Sequence, residues 1–341
     1  MAAKPAQRGR KTGPTIADVA RLAGVSAQTV SRTSTGAEAV RPETRERVLT
    51  AMEQLGYSPN RAARALRNGR YGTIGLIARR FDRTGEARTT DALLRAAEAA
   101  DYGVSLLTVP GAASGGWEPA ARRLHHQSVD GLVIIRAEGA ADEIPLPARM
   151  PVAVSDSRAS GRYPSVVSDE YTGMRLAVDH LLKLGHRTVH HIAGPPGSEP
   201  ARLRALAWRS RLEESGIVAP EPFPGDWTAE SGYRAGAMIA ADPRVTAVAC
   251  ANDETALGLR MALHEAGRRV PEDVSVVGFD DISLSRFSVP PLTTIRQDFE
   301  QTGKELVRLL LEQIEGVPQV DVPHVVLPTE LVVRGTTAPP R

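Results

Sequence analysis

The sequence has one cysteine, no long apolar run and none of the short motifs that mark common enzyme chemistries, and each shortage excludes something. With Cys250 alone among 341 residues, no internal disulfide can form, which fits a reducing compartment. No stretch of about 18 apolar residues exists, so no membrane-spanning helix is expected. Residues 1–14 are basic and polar and lack the apolar centre of a secretory signal, which points to a cytoplasmic protein. There is no GxSxG elbow, no HExxH, no GxGxxG after the first strand and no P-loop lysine, so neither an enzyme nor a cofactor is expected. A metal is not expected either: His180 falls on a helix, His186 in a turn, and His190 and His191 at a strand start, too dispersed to converge. Asp280 and Asp281 are strand neighbours that point to opposite faces, which argues against a carboxylate pair. Cys250 reads as a small core residue.

What is present is uneven. About 42% of residues are apolar and 24% charged, with a mean hydropathy of −0.21, as in globular chains. The length suggests two or three domains. The net charge of +2 hides a split. Residues 1–71 hold 13 basic and 5 acidic side chains, whereas the rest carries an acidic surplus. A basic head on an acidic body suggests that one end meets a polyanion; a solubilising tail is the bland alternative.

Residues 1–14 read as a disordered basic tail, 15–57 as three short helices, and 58–71 as a connector. From residue 72 the texture changes to β-branched runs alternating with Ala/Leu/Arg-rich helical stretches. Candidate strands fall at 73–78, 104–109, 130–135, 152–156, 165–169, 189–194, 246–252 and 275–281, with helices between them. That rhythm indicates a doubly wound parallel α/β body over 72–335, and eight strands suggest two lobes. Residues 336–341 read as a tail.

In the head, Thr15 is placed to cap the first helix, with Asp18 completing a capping box. Ile16, Val19, Ala20 and Ala23 form its apolar face. Gly24 turns the chain, Ser26 caps a second helix, and Val30 anchors that helix. Small, turn and core residues at these positions suit a helix-turn-helix. A third helix follows Pro42, with Val48, Leu49, Met52 and Leu55 as its stripe. The second helix presents Gln28, Ser31 and Arg32. Gln and Arg can read adenine and guanine edges bidentately, and Ser26, Thr29 and Ser31 suit phosphates.

The connector holds Ser58 and Asn60, then a helix-like stretch of about seven residues, 61–67, too short to be stable alone. Arg61, Arg64, Arg67 and Arg70 surround Ala62, Ala63, Ala65 and Leu66. The arginines suit phosphates and Leu66 suits a wedge between base steps. A plain interdomain linker is the alternative.

The stretches TIADVARLAGVSAQTVSR and VRPETRERVLTAMEQLGYSPNRAARALRNG resemble the head of the LacI/GalR family of transcriptional regulators. The resemblance extends over roughly 15–335. It implies a helix-turn-helix headpiece joined to a two-lobed ligand domain like that of periplasmic sugar-binding proteins, with lobe crossovers near 168, 298 and 327. It further implies Ala27, Gln28 and Arg32 at base-reading positions and a hinge helix carrying Asn60, Arg61, Ala63 and an intercalating Leu66. The chain departs from the family after Arg32, where Thr33, Ser34 and Thr35 replace two apolar residues and Asn. That departure implies a second helix that ends early or packs loosely.

In open α/β sheets, ligands bind beyond the carboxyl ends of strands. Asp156, Asn252, Asp253, Asp280 and Asp281 end candidate strands, and GPPGSEPARLRALAW places Arg202 and Arg204 at a helix start. Trp227 and Phe299 can cover the apolar face of a sugar. The family comparison implies Arg204, Asn252 and Asp280 as chief polar contacts, with Asp156, Trp227 and Phe299 in support. The loop ARRFDRTG adds Arg79 and Phe81 as candidates. Arg79 and Arg80 either meet an acidic or phosphorylated ligand or point to solvent.

Together these observations predict a homodimeric repressor that binds a pseudo-palindromic operator in double-stranded DNA under control of a small effector, a sugar or sugar derivative, without membrane contact. A sugar-binding protein without DNA activity and a cytoplasmic α/β enzyme are the rivals.

Overall fold

The computed structural model describes residues 13–34, 40–57, 69–79, 81–109, 117–126, 129–135, 150–155, 158 and 160–341. These divide into two compact units, with the boundary along the chain between Tyr71 and Gly72. Among them no helix is long and apolar enough to cross a membrane.

Among its described residues the first unit holds three helices: α1 (Ile16–Ala23), α2 (Ala27–Ser34) and α3 (Pro42–Leu55). The Thr15–Asp18 capping box starts α1. Gly24, at φ 65°, ends it in a left-handed turn that glycine adopts without a Cβ clash. Ser26 Oγ accepts from the Thr29 amide and starts α2. Proline at the first position starts α3, where no amide partner is needed. Val19, Ala20, Ala23, Val30, Val48, Ala51 and Met52 form the core.

Two expectations change here. Leu49 is half exposed, and Ala51 takes its place in the core, because 48, 51, 52 and 55 follow the helical period and 49 does not. Nor does α2 end early: it continues to Ser34. Thr33 is buried, with its hydroxyl satisfied by the Thr29 carbonyl at 3.0 Å.

The second unit has two lobes. The N-lobe sheet contains β1 (Thr73–Ala78), β2 (Gly103–Thr108), β3 (Gly131–Ile135), β4 (Val152–Ser155), β5 (Ser165–Ser168) and β10 (His324–Leu327), all parallel, in the order β10-β5-β4-β3-β1-β2. Successive side chains alternate between faces. Ile74 and Leu76 of β1 pack with α4 (Thr84–Ala99) and α11 (Phe299–Glu315). Ile77 faces the other way, towards Leu124 of α5 (Trp117–His126).

The C-lobe sheet has the order β11-β9-β8-β7-β6. Its strands are β6 (His190–Ile192), β7 (Ala247–Cys250), β8 (Ser275–Asp280), β9 (Thr293–Arg296) and β11 (Glu330–Val332). Only β11 runs antiparallel to its neighbour. On one face lie α6 (Glu170–Lys183) and α7 (Glu199–Glu214), around a fully buried Trp208. On the other lie α8 (Ala229–Ala241) and α9 (Asp253–Glu265). The short α10 (Ser283–Phe287) follows β8.

The chain passes between lobes three times, after β5, after β9 and after β10. Strands β9, β10 and β11 were not among the eight read from sequence. Residues 336–338, assigned there to a tail, run beside β8 instead. The Thr336 hydroxyl donates to the Val276 carbonyl at 2.7 Å, and Ser275 Oγ donates to the Ala338 carbonyl at 2.9 Å.

Candidate functional site

In the first unit, Ser26 is exposed just before α2, and Ala27, Gln28 and Arg32 are exposed along it from its first turn to its last, while Val30 is buried. The hydroxyls of Ser26 and Thr29 lie 2.9 Å apart and serve the cap, and Thr15 is engaged in the capping box. Ser31 is half-buried. Asn60, Arg61, Ala63 and Leu66 lie outside the described residues.

In the second unit, a cavity of about 410 Å³ opens between the lobes at the carboxyl ends of β4, β5, β7, β8 and β9. It falls in the usual range for small-molecule sites. Arg204, Trp227, Asn252, Asp280 and Phe299 all line it. Asp156 and Arg80 lie outside the described residues. Arg79 and Phe81 do not line it: the chain turns after β1, and the lining residues from this segment are 82–86 and Thr89. The Arg79 amide donates to Glu86 instead, and Phe81 is exposed.

The C-lobe wall is a buried charge network. Arg204 Nε donates to Glu170 at 2.6 Å, Nη1 donates to the Ala251 carbonyl, and Nη2 reaches Asp280 at 3.4 Å. Its guanidinium lies 3.7 Å from the centre of the Phe279 ring and 5.2 Å from that of Trp227. Burial works against the Arg204 charge, but Glu170 and Asp280 outweigh it and keep the guanidinium protonated. Burial raises the Asp280 pKa, and Glu254, Asp253 and Glu170 add to the rise, so the pull of Arg204 does not bring it down. Gln297 Nε2 donates to Asp280 at 2.5 Å.

Asn252 has a double role. Its Oδ1 caps α9 through the Thr255 amide, and its Nδ2 donates to the Trp227 carbonyl and to Glu254. Asp253, beside it, does not face the cavity. Its carboxylate accepts from Ser285, Thr294 and the Ile282 amide, and burial lifts its pKa to about 7. Gly278 leaves the space it fills: a Cβ there would sit 2.1 Å from Asp253 Oδ1. Gly194 likewise makes room for the Trp227 ring, which a Cβ would meet at 2.8 Å.

Glu170, Glu254 and Gln297 were missed from sequence. Each adjoins a segment that was read: Glu254 follows Asn252 within ANDE, Gln297 lies in IRQDF, and Glu170 follows the first crossing. The remaining polar candidates are structural. Arg202 pairs with Glu199 at the surface. His180 bonds Thr337, His186 bridges Thr246 and the Ala338 carbonyl, and His191 bonds the Ala249 carbonyl. Burial pushes the Cys250 thiol pKa up, which disfavours the reactive thiolate.

Residues 15–60 match the family described as bacterial regulatory proteins, lacI family, and residues 178–337 match the periplasmic binding protein-like domain. The lactose operon repressor of Escherichia coli (strain K12) is 36% identical over 330 residues, covering 96% of this chain and 91% of the repressor. The transcriptional regulator CelR of Thermobifida fusca is 34% identical over 95% of this chain and 98% of its own length. Among solved structures, the lac repressor dimer bound to operator and the anti-inducer ONPF superposes with a TM-score of 0.82 at 34% identity, covering 96% of this chain and all of that one. A CelR–cellobiose complex gives 0.70 at 32% identity, covering 95% and 99%. The chain therefore belongs to the LacI family of bacterial transcriptional regulators.

Proposed function

We propose that the protein is a repressor whose affinity for a pseudo-palindromic operator in double-stranded DNA is set by a saccharide held between its lobes, and that it acts as a cytoplasmic homodimer. The observation that carries this reading is the exposed face of α2, where Gln28 and Arg32 stand one helical turn apart on a helix whose other side is fixed by Val30. Gln28 and Arg32 read base edges and Ala27 meets a thymine methyl. Ser26, Thr29, Ser31 and Thr15 approach the phosphates. Asn60, Arg61, Ala63 and Leu66 form a connector helix that orders on the operator, with Leu66 as the wedge.

Arg204, Asn252 and Asp280 hold hydroxyl groups of the effector, Trp227 and Phe299 cover its apolar faces, and Asp156 assists. Carboxylates outnumber guanidinium groups among the described lining residues. Arg204 is bonded to Glu170 and Arg83 to the Asp226 carbonyl. An uncharged polyhydroxy ligand therefore suits the wall better than a phosphorylated one. The complex of CelR with cellobiose supports a carbohydrate effector, and the lac repressor dimer on its operator supports the DNA partner and the dimer. A C-lobe patch with Phe287 74% and Val289 92% exposed supports self-association. Effector binding favours one arrangement of the lobes over the other, and a coupling of about 1–3 kcal/mol changes operator affinity by roughly 5–150-fold.

Selection from randomised symmetric duplexes, followed by anisotropy titration with and without a panel of neutral disaccharides, tests this. The expected result is a preferred duplex bound about 10³-fold or more above random DNA. Replacing both Gln28 and Arg32 by Ala should abolish the preference. No preference for any symmetric duplex, with or without saccharide, would overturn the proposal.

A further inference from the structure

The N-lobe carries donors in and beside the cavity that reach across to the C-lobe. Arg83 Nη1 donates to the Asp226 carbonyl at 2.6 Å. The Thr84 hydroxyl donates to the Glu254 carboxylate. Arg88 Nη1 donates to the carbonyls of Asp280 and Asp281 at 3.3 and 3.2 Å, with its guanidinium 4.7 Å from the centre of the Phe299 ring. Every donor sits at or near the start of α4, in the N-lobe. Every acceptor belongs to the C-lobe.

The carbonyl acceptors lie in or next to left-handed backbone. Trp227, Asp280 and Asp281 have φ of 73°, 107° and 51°, in the left-handed region that side chains disfavour. Such residues persist only where their surroundings hold them, and they gather at ligand clamps. The orientation of the peptide after Asp226 determines φ at Trp227, and that of the peptide after Asp280 determines φ at Asp281. These are the carbonyls that Arg83 and Arg88 grip. From within the C-lobe, the Asn252 amide holds the next carbonyl, that of Trp227, at 3.0 Å. Arg296 and Arg334 hold the Asp281 carboxylate.

We propose that Arg83 and Arg88 are positioning residues. From the N-lobe they hold two left-handed C-lobe segments in the orientation that presents Trp227 and Asp280 to the cavity, so that the site is fully assembled only when the lobes are closed. Apparent ligand affinity then scales with the closed fraction of the population. The inference deepens the ligand reading above.

Hydrogen exchange on the full-length chain tests it without any ligand, so its failure is distinguishable from failure of the effector reading. The reporters are the Thr228 amide, which donates to Asp226 Oδ1 at 3.0 Å, and the Ile282 amide, which donates to Asp253 Oδ2 at 2.8 Å. In an Arg83→Gln/Arg88→Gln variant, peptides covering 226–231 and 280–285 should exchange about tenfold faster, with peptides from β1 and β3 unchanged. Arg88→Lys, which keeps the charge, should restore part of the protection at 280–285. Arg95→Gln, on the same helix but exposed and paired with Asp91, should leave both segments as in the wild type. Unchanged exchange at both segments in the double variant overturns the proposal. Uniform acceleration across both lobes also overturns it, since it assigns the arginines to general stability alone.

Discussion

Gln28 and Arg32 stand exposed on α2, whereas Arg204, Asn252 and Asp280 are buried and bonded to other protein groups. In the headpiece the face proposed to read DNA is not part of the core, so stability and recognition can be changed separately. In the body the groups proposed to meet the effector also neutralise and orient one another, so removing one unbalances the rest. Substitutions should separate the two regimes.

The largest effect is expected at Arg204. Arg204→Ala leaves Glu170 and Asp280 buried without their counter-charge, and denaturant titration should show a loss of about 3–5 kcal/mol together with loss of effector binding. A comparable loss from Gln28→Ala would break the contrast.

Gly278→Ala comes next. Its Cβ would meet the Asp253 carboxylate, which three donors hold in place, so overpacking should cost roughly 1–3 kcal/mol in thermal unfolding of the body.

Asp253 also gives the body a pH signature. Its folded pKa of about 7 lies above the ordinary value, so its protonated form is favoured by folding, and that contribution is lost as pH rises through the folded value. His191, lowered to about 4 by burial, acts in the opposite sense, losing its contribution as pH falls below the ordinary histidine range. Comparison with Asp253→Asn isolates the carboxyl: from about pH 5 to about pH 8 the wild type should lose stability relative to the variant. A pH-independent difference would remove the buried carboxyl from the account.

Smaller still is Thr15→Ala, which removes the α1 cap and should cost the headpiece about 1 kcal/mol without moving the melting of the body. Gln28→Ala and Arg32→Ala should leave both transitions within about 0.5 kcal/mol. Each should still cost about 1–3 kcal/mol of discrimination at its base pair in operator titrations.

The same contrast explains what could be read from sequence. Headpiece signals are local: Thr15 with Asp18, Gly24 and Pro42 each act within one turn, and each appears in the structure where the residues suggest. Leu49 was misjudged because it adjoins Val48, although the period favours Ala51. In the body, β9, β10 and β11 are three or four residues long, and β10 and β5 pair across more than 150 positions, beyond the reach of local patterns. The cavity residues on strand ends were legible because the sheet architecture places them there. Arg83 and Arg88 were not, because α4 begins without a side-chain cap, so nothing marked where the loop holding Arg79 and Phe81 gives way to helix.

The three passages between lobes have a consequence for anyone who wishes to take the molecule apart. Neither lobe is a continuous stretch of chain: α11 and β10 return to the first after the second is nearly complete, and β11 returns to the second after that. No single pair of cuts can excise a foldable half. A chimera built to exchange effector preference must splice at all three passages at once, and a protease nick in one lobe leaves the fragments interlocked.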